Sequence, residues 1–135
     1  MAVYNKMTSI SNASWKRKRS KRGMHEYELA NGMKLLLVPK EGLKVTTANI
    51  TYEVGSRMEG LGISGSSHIL EHMLFKGSKM FNKPDQWEEF LERNAGSWNA
   101  FTTMTSTNYH FDVNNTGFDE ALNRFAQFFL APIFD

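Results

Sequence analysis

The stretch Gly65-Ser-Ser-His68-Ile-Leu-Glu71-His72-Met-Leu-Phe-Lys-Gly77 carries the pattern that decides how this 135-residue sequence folds. Its apolar residues and closing glycine predict one short helix. At about 100° per residue, His72 lies about 40° from His68 on the helix surface, and Glu71 lies about 60° to the other side. All three side chains therefore point into one space. The apolar residues over the remaining circumference predict a buried helix whose polar stripe faces a cavity.

The spacing of these three residues favours a metal site. Two histidines four residues apart on a helix can bind one Zn²⁺ through neutral ring nitrogens. A catalytic zinc takes three protein ligands and keeps a further position for water, whose pKa it lowers towards neutrality. A neighbouring carboxylate then takes a proton from that water and passes it to the leaving amine, which is the role predicted for Glu71.

A structural explanation of the same residues is also available. His68 and His72 could be core or capping histidines, with Glu71 as an ion-pair partner. Two histidines and a glutamate on one face of an otherwise apolar helix would, however, be costly to bury unpaired. The chain has no cysteine, so His, Asp or Glu must hold any metal.

The elements on both sides of this helix predict an α+β fold. Before the helix, the apolar patterns predict strands at 33–38 and 45–54. The helix itself is predicted to run from a cap at Ser66 or Ser67 to about Lys76. After it come a helix from Pro84 to Gly96, strands at 98–103 and 107–113, and a helix from a capping-box-like pair, Thr116 and Asp119, to Pro132. His110 falls on the polar face of its strand and is predicted to be exposed. This order predicts a mainly antiparallel sheet with helices packed on one face.

Basic charge is concentrated at the start of the chain. The first 22 residues hold seven Lys or Arg and no acidic residue, and all 14 acidic residues lie in the remainder. We predict that residues 1–23 form a basic, disordered tail and that residues 24–135 form the domain. A mitochondrial presequence also fits the acid-free, Ser-rich composition of this tail, although the basic residues are clustered rather than spread along an amphipathic helix.

Because the domain is net negative, we expect no nucleic-acid partner. No apolar run reaches the length of a membrane span, so we expect no membrane partner.

Several segments, in the same order, resemble the pitrilysin/insulinase family of zinc metallopeptidases, which carries His-x-x-Glu-His in place of the commoner His-Glu-x-x-His. The matching segments are 54–57, 65–77, 99–102 and 107–109. Three more resemble the insulin-degrading enzyme branch particularly closely, at 94–97, 111–113 and 124–129. The resemblance extends over about residues 28–135 and leaves the basic tail unexplained.

The resemblance implies a zinc endopeptidase that hydrolyses peptide bonds in extended or unfolded peptides. His68 and His72 are then the Zn²⁺ ligands, and Glu71 is the general base that activates a zinc-bound water. Four further residues are implied to form an edge strand that binds the substrate backbone as an added strand: Asn99, Ala100, Phe101 and Thr102.

The resemblance also implies an incomplete catalytic domain. Family members take a third zinc ligand, a glutamate, from a later helix and close the site with a second domain. We expect both to lie beyond Asp135, so a C-terminal domain or a partner subunit is expected to complete the site. The alternative is a non-catalytic structural or peptide-binding subunit of the same family. We expect a cytoplasmic location, or a mitochondrial one if the tail is a presequence.

Overall fold

The computed structural model describes residues 15–21, 23–83 and 85–134, of which 15–21 are described by their backbone. The chain divides into two units, Met1–Leu43 and Lys44–Asp135. The first unit contains β1 (Trp15–Lys21), β2 (Met24–Leu29) and β3 (Lys34–Leu37). The second contains β4 (Val45–Tyr52), a 3₁₀ turn (Ser56–Met58), α1 (Ser66–Leu74), α2 (Gln86–Arg93), β5 (Ser97–Thr102), β6 (Thr107–Asn114) and α3 (Phe118–Leu130). No helix in the described ranges is long and apolar enough to cross a membrane.

The first unit is an antiparallel sheet in the order β1-β2-β3. Its first strand lies within the basic segment predicted to be a disordered tail. The register sets Lys16 opposite Glu28 and Arg19 opposite Glu26. Residues 1–14 and 22 lie outside the described residues, so the domain boundary at residue 23 stays a prediction.

The second unit is built on an antiparallel sheet in the order β4-β6-β5. Alternate residues of the central strand β6 point to the same face, and Phe111 and Val113 on that face have no exposed surface. Ala48 of β4 and Trp98 of β5 lie opposite Phe111 in the register. This side of the sheet is therefore the one that carries the core.

All three helices contribute to that core. It is formed by Leu74 of α1, Trp87 and Leu91 of α2, Tyr109, Phe111 and Val113 of β6, and Ala121, Phe125 and Phe128 of α3. The ring of Phe111 packs edge-on against Trp87 and Phe125, with centroids 5.4 and 4.9 Å away. The predicted α+β fold, an antiparallel sheet with helices on one face, is confirmed.

The predicted helix caps are wrong: at α1 a carboxylate that precedes the helix replaces the expected serine, and at α3 the expected threonine has another partner. α1 begins at Ser66, and neither serine caps it; Gly65, at φ +88°, occupies the N-cap position. The Glu59 carboxylate accepts the backbone N–H groups there instead. At α3, Gly117 occupies the N-cap position, and Thr116 donates its hydroxyl to the Asn114 side chain.

His110 is half-buried, so its predicted exposure is also wrong. Its Nδ1 atom lies 2.9 Å from Oδ1 of the buried Asn108, two residues away on the same face of β6. The ring centroid of Phe101, on the neighbouring strand, lies 6.3 Å from that of the imidazole. These neighbours reduce the exposure of a residue whose strand pattern alone suggested contact with solvent.

Candidate metal centre

Helix α1 is attached to the sheet by its C-terminal end. Leu74 is buried in the core, and the ring of Phe75 lies 4.1 Å from the Trp98 ring, centroid to centroid. The helix is not buried all round as predicted, because Ile69 is 58% exposed and Leu70 is 46% exposed. The apolar pattern of the helix did not distinguish the buried residues from the solvent-exposed ones.

The structure brings together the three residues that the sequence singled out. The Nε2 atoms of His68 and His72 lie 3.1 Å apart, and Nδ1 of His68 lies 3.5 Å from Oε2 of Glu71. Each residue offers one potential ligand atom, and these three atoms lie within 4.8 Å of one another. Among the described residues this is the one such group of three. Both histidines are exposed, whereas Glu71 is 4% exposed.

These residues fit a zinc ion. Two nitrogens that each bind a tetrahedral Zn²⁺ at about 2.0–2.1 Å are separated by about 3.3–3.4 Å. The observed separation of 3.1 Å between the two Nε2 atoms is close to that value. Neutral imidazoles are ordinary zinc ligands, and the Glu71 carboxylate lies beside them. The pair would supply two of the three protein ligands that a catalytic zinc takes.

Thr102 contacts the carboxylate of this group directly. Its hydroxyl donates a hydrogen bond of 2.5 Å to Oε2 of Glu71. Sequence reasoning assigned Thr102 to substrate binding and missed this bond. The alternation of β5 could have revealed that Thr102 faces the helices. Trp98, Ala100 and Thr102 share one face of the strand, and Trp98 and Ala100 pack against the core beneath the helices.

The other predicted substrate-binding residues follow the same alternation. Asn99 and Phe101 are exposed on the face opposite the helices, and Ala100 is half-buried against the core. β5 is one of the two edge strands of this sheet in the part of the chain that is described. The backbone N–H of Ala100 donates to the side-chain oxygen of Asn99 at 2.8 Å. An edge position is what strand addition requires, and the substrate role of these residues stays a prediction.

Tyr109 is a neighbour of the site that sequence reasoning counted only as core. It lies opposite Ala100 in the sheet and is 3% exposed. Burial, followed by the negative charges of Glu71 and Tyr52, raises the pKa of Tyr109 to about 12. The phenol therefore stays neutral throughout the physiological range and adds no charge beside the carboxylate.

A helix that presents His-x-x-Glu-His beside the edge strand of an antiparallel sheet defines a class, the inverted-motif metallopeptidases. Residues 34–135 match the sequence profile of the insulinase family, peptidase family M16, and the chain belongs to that family. The family consists of zinc metallopeptidases, so the predicted relationship is confirmed.

Individual relatives agree with this assignment. Human insulin-degrading enzyme is 42% identical over 98% of this chain and 14% of its own length. Insulin-degrading enzyme-like 1, peroxisomal, from Arabidopsis thaliana is 42% identical over 78% of this chain and 11% of its own length. The crystal structure of pitrilysin superimposes with a TM-score of 0.78 at 31% identity, and the match covers 93% of this chain and 13% of that one.

The chain therefore spans about one seventh of the human relative that it matches. A need for further parts of a longer protein, or for a partner, is consistent with that fraction. The name of the plant relative gives a peroxisomal location. For this chain, a cytoplasmic or mitochondrial location stays a prediction.

Proposed function

We propose that this chain supplies the metal-binding and water-activating part of a zinc endopeptidase. The observation that carries the proposal is a buried carboxylate, Glu71, held beside two imidazole nitrogens 3.1 Å apart. His68 and His72 would bind the Zn²⁺. Zinc, when bound, lowers the pKa of water and polarises the carbonyl group of a peptide bond.

Glu71 acts as the general base and then as the general acid. Its carboxylate takes a proton from the attacking water and delivers it to the amine that leaves when the peptide C–N bond breaks. Oε2 already accepts the Thr102 hydroxyl, so we assign the proton transfer to Oε1. Because the carboxylate is buried, its interactions with charge that develops nearby are stronger than they would be in water.

The substrate is an extended or unfolded peptide that pairs with β5. Strand addition uses main-chain hydrogen bonds and therefore requires an extended segment more than a particular sequence. The backbone of residues 99–102 offers the pairing edge, and the side chains of Asn99 and Phe101 contact the peptide from one face. An incoming carbonyl replaces the Asn99 oxygen that now accepts the Ala100 N–H.

The complete enzyme requires a third zinc ligand, from a later part of a longer protein or from a partner subunit. The one ligand group among the described residues contains two histidines and the proposed base, and this favours a second candidate function. The chain would then be a non-catalytic subunit that binds peptides at the same edge.

The two functions are separated by Glu71→Gln in the assembled enzyme, compared with His72→Ala. As a general base, Glu71 contributes about 10²- to 10⁴-fold to the rate, so Glu71→Gln should slow peptide hydrolysis by that factor while zinc content is kept. His72→Ala should lose the zinc itself. Glu53→Gln, which removes an exposed carboxylate outside the site, is the matched control for the change of charge.

Hydrolysis at the wild-type rate in Glu71→Gln would remove this residue from the mechanism. No zinc in the wild type, with peptide binding that survives both substitutions, would instead establish the non-catalytic subunit. Zinc content is read by elemental analysis, and peptide binding by fluorescence anisotropy of a labelled peptide.

A further inference from the structure

We propose that Glu59 is a positioning residue, which fixes where the metal-binding helix begins and so where His68 points. The inference rests on the proposed function, since it concerns the geometry of the same zinc site.

The Glu59 carboxylate holds two backbone N–H groups at the start of α1. Oε2 accepts the Gly65 N–H at 2.6 Å, and Oε1 accepts the Ser67 N–H at 2.8 Å. The first N–H groups of a helix have no partner within it, and a negative charge there also complements the helix dipole. α1 has only nine residues, and helices of that length are marginal without such support.

The segment that carries this carboxylate is itself fixed to the loop that follows β5. The Ser56 N–H donates to the Thr103 carbonyl at 3.0 Å, and the Arg57 N–H donates to the Met104 carbonyl at 2.9 Å. The preceding Gly55 makes this approach possible, because a Cβ atom there would lie 2.3 Å from the Thr103 oxygen. The cap is therefore tied to the same hairpin that holds the Glu71 carboxylate through Thr102.

Glu59 is a carboxylate under ordinary conditions. The backbone N–H of Ser67, followed by that of Gly65, lowers the pKa of Glu59 below its ordinary value of 4.5. Both oxygens are thus available as acceptors at neutral pH. Neither serine at the helix start offers a competing side-chain cap.

The position of the cap matters most for His68. His68 is the third residue of α1 and directly follows the capped Ser67, whereas His72 lies a full turn later, near the end attached to the core. Fraying of the first turn displaces His68 and leaves His72 in place. Chelation by two nitrogens 3.1 Å apart requires both at once, so zinc affinity depends on that first turn.

The test compares Glu59→Gln with Glu59→Asp in the 135-residue chain, with Glu53→Gln as the control. Glutamine keeps one acceptor and loses the charge, whereas aspartate keeps the charge and both acceptors on a shorter side chain. Two quantities are measured: hydrogen exchange of the Gly65 and Ser67 amides in the metal-free chain, and the zinc dissociation constant by competition with a chromogenic chelator.

We expect Glu59→Gln to accelerate exchange at both amides and to weaken zinc binding, each by about threefold to thirtyfold, the range expected for the loss of a helix cap. Glu59→Asp should recover part of both effects. Glu53→Gln should change either quantity by less than about twofold, as for an ordinary surface substitution.

Unchanged exchange and unchanged zinc affinity in Glu59→Gln would overturn the inference. Zinc binding by the wild type would still support the proposed function. If the wild-type chain binds no zinc without a third ligand, zinc affinity is compared in the assembled enzyme, where absent zinc would defeat the proposed function. Exchange in the metal-free chain still decides whether Glu59 fixes the helix start. If Glu59→Gln does not fold, the same two measurements on Glu59→Asp decide the matter, and wild-type values there would overturn the inference.

Discussion

Replacing Thr102 by valine removes one hydroxyl from a buried carboxylate and keeps the shape of the side chain. The Glu71 side chain is 6% exposed, so water does not readily take the place of the lost donor. Hydrogen bonds to charged groups contribute about 1.5–3 kcal/mol. We expect Thr102→Val to lower the free energy of unfolding by that amount.

A double-mutant cycle with Glu71→Gln tests whether the loss comes from this bond. The amide of glutamine can still accept the hydroxyl, but the bond is then neutral and contributes about 0.5–1.5 kcal/mol. Thr102→Val should therefore destabilise the Glu71→Gln chain by less than it destabilises the wild type. The difference, roughly 1 kcal/mol, is the coupling between the two side chains.

Urea denaturation of the wild type, both single variants and the double variant supplies the four free energies. Thr102→Ser is the control, because it keeps the hydroxyl and loses one methyl group, at about 0.8 kcal/mol. Equal losses for Thr102→Val in the two backgrounds would refute the reasoning, as would a valine variant as stable as the wild type.

Two further predictions concern the core and the helix cap. Phe111→Ala should lower the unfolding free energy by about 3–5 kcal/mol, because its ring has no exposed surface, whereas Phe101→Ala on the open face should cost less than half as much; equal losses in urea denaturation would contradict this account of the core. Because the pKa of Glu59 is lower in the folded chain than its ordinary 4.5, its stabilisation is complete above that value and is lost as the pH falls through the lowered pKa. The difference in urea midpoint between wild type and Glu59→Gln should therefore be present at neutral pH and vanish in acid, and a difference that is independent of pH would argue against an ionised cap.

The three residues of the metal centre could be predicted because their relationship is local. The 100° rotation per residue fixes the relative directions of His68, Glu71 and His72 once the segment is helical. The alternation along β6 likewise predicted its buried face, and Phe111 and Val113 have no exposed surface. Such features depend on neighbours within a few residues in the sequence.

The features that could not be predicted depend on contacts between distant segments. Glu59 reaches the start of α1 only because the intervening chain folds back, and it takes the place that a local serine cap was expected to fill. Thr102 meets Glu71 across 31 residues, through the packing of α1 on β5. Ile69 and Leu70 are apolar by pattern, but the pattern does not specify what covers them.

The restraints on the metal-binding helix also have a consequence for the order of folding. The bond from Ser67 to Glu59 spans eight residues and that from Thr102 to Glu71 spans 31, whereas Thr46 and Asn115, where β4 meets the end of β6, are 69 residues apart. The entropy lost on closing a loop grows with its length, and long-range strand pairing is the slow part of folding. We therefore expect the bonds to Glu59 and Glu71 to form before β4 joins the sheet.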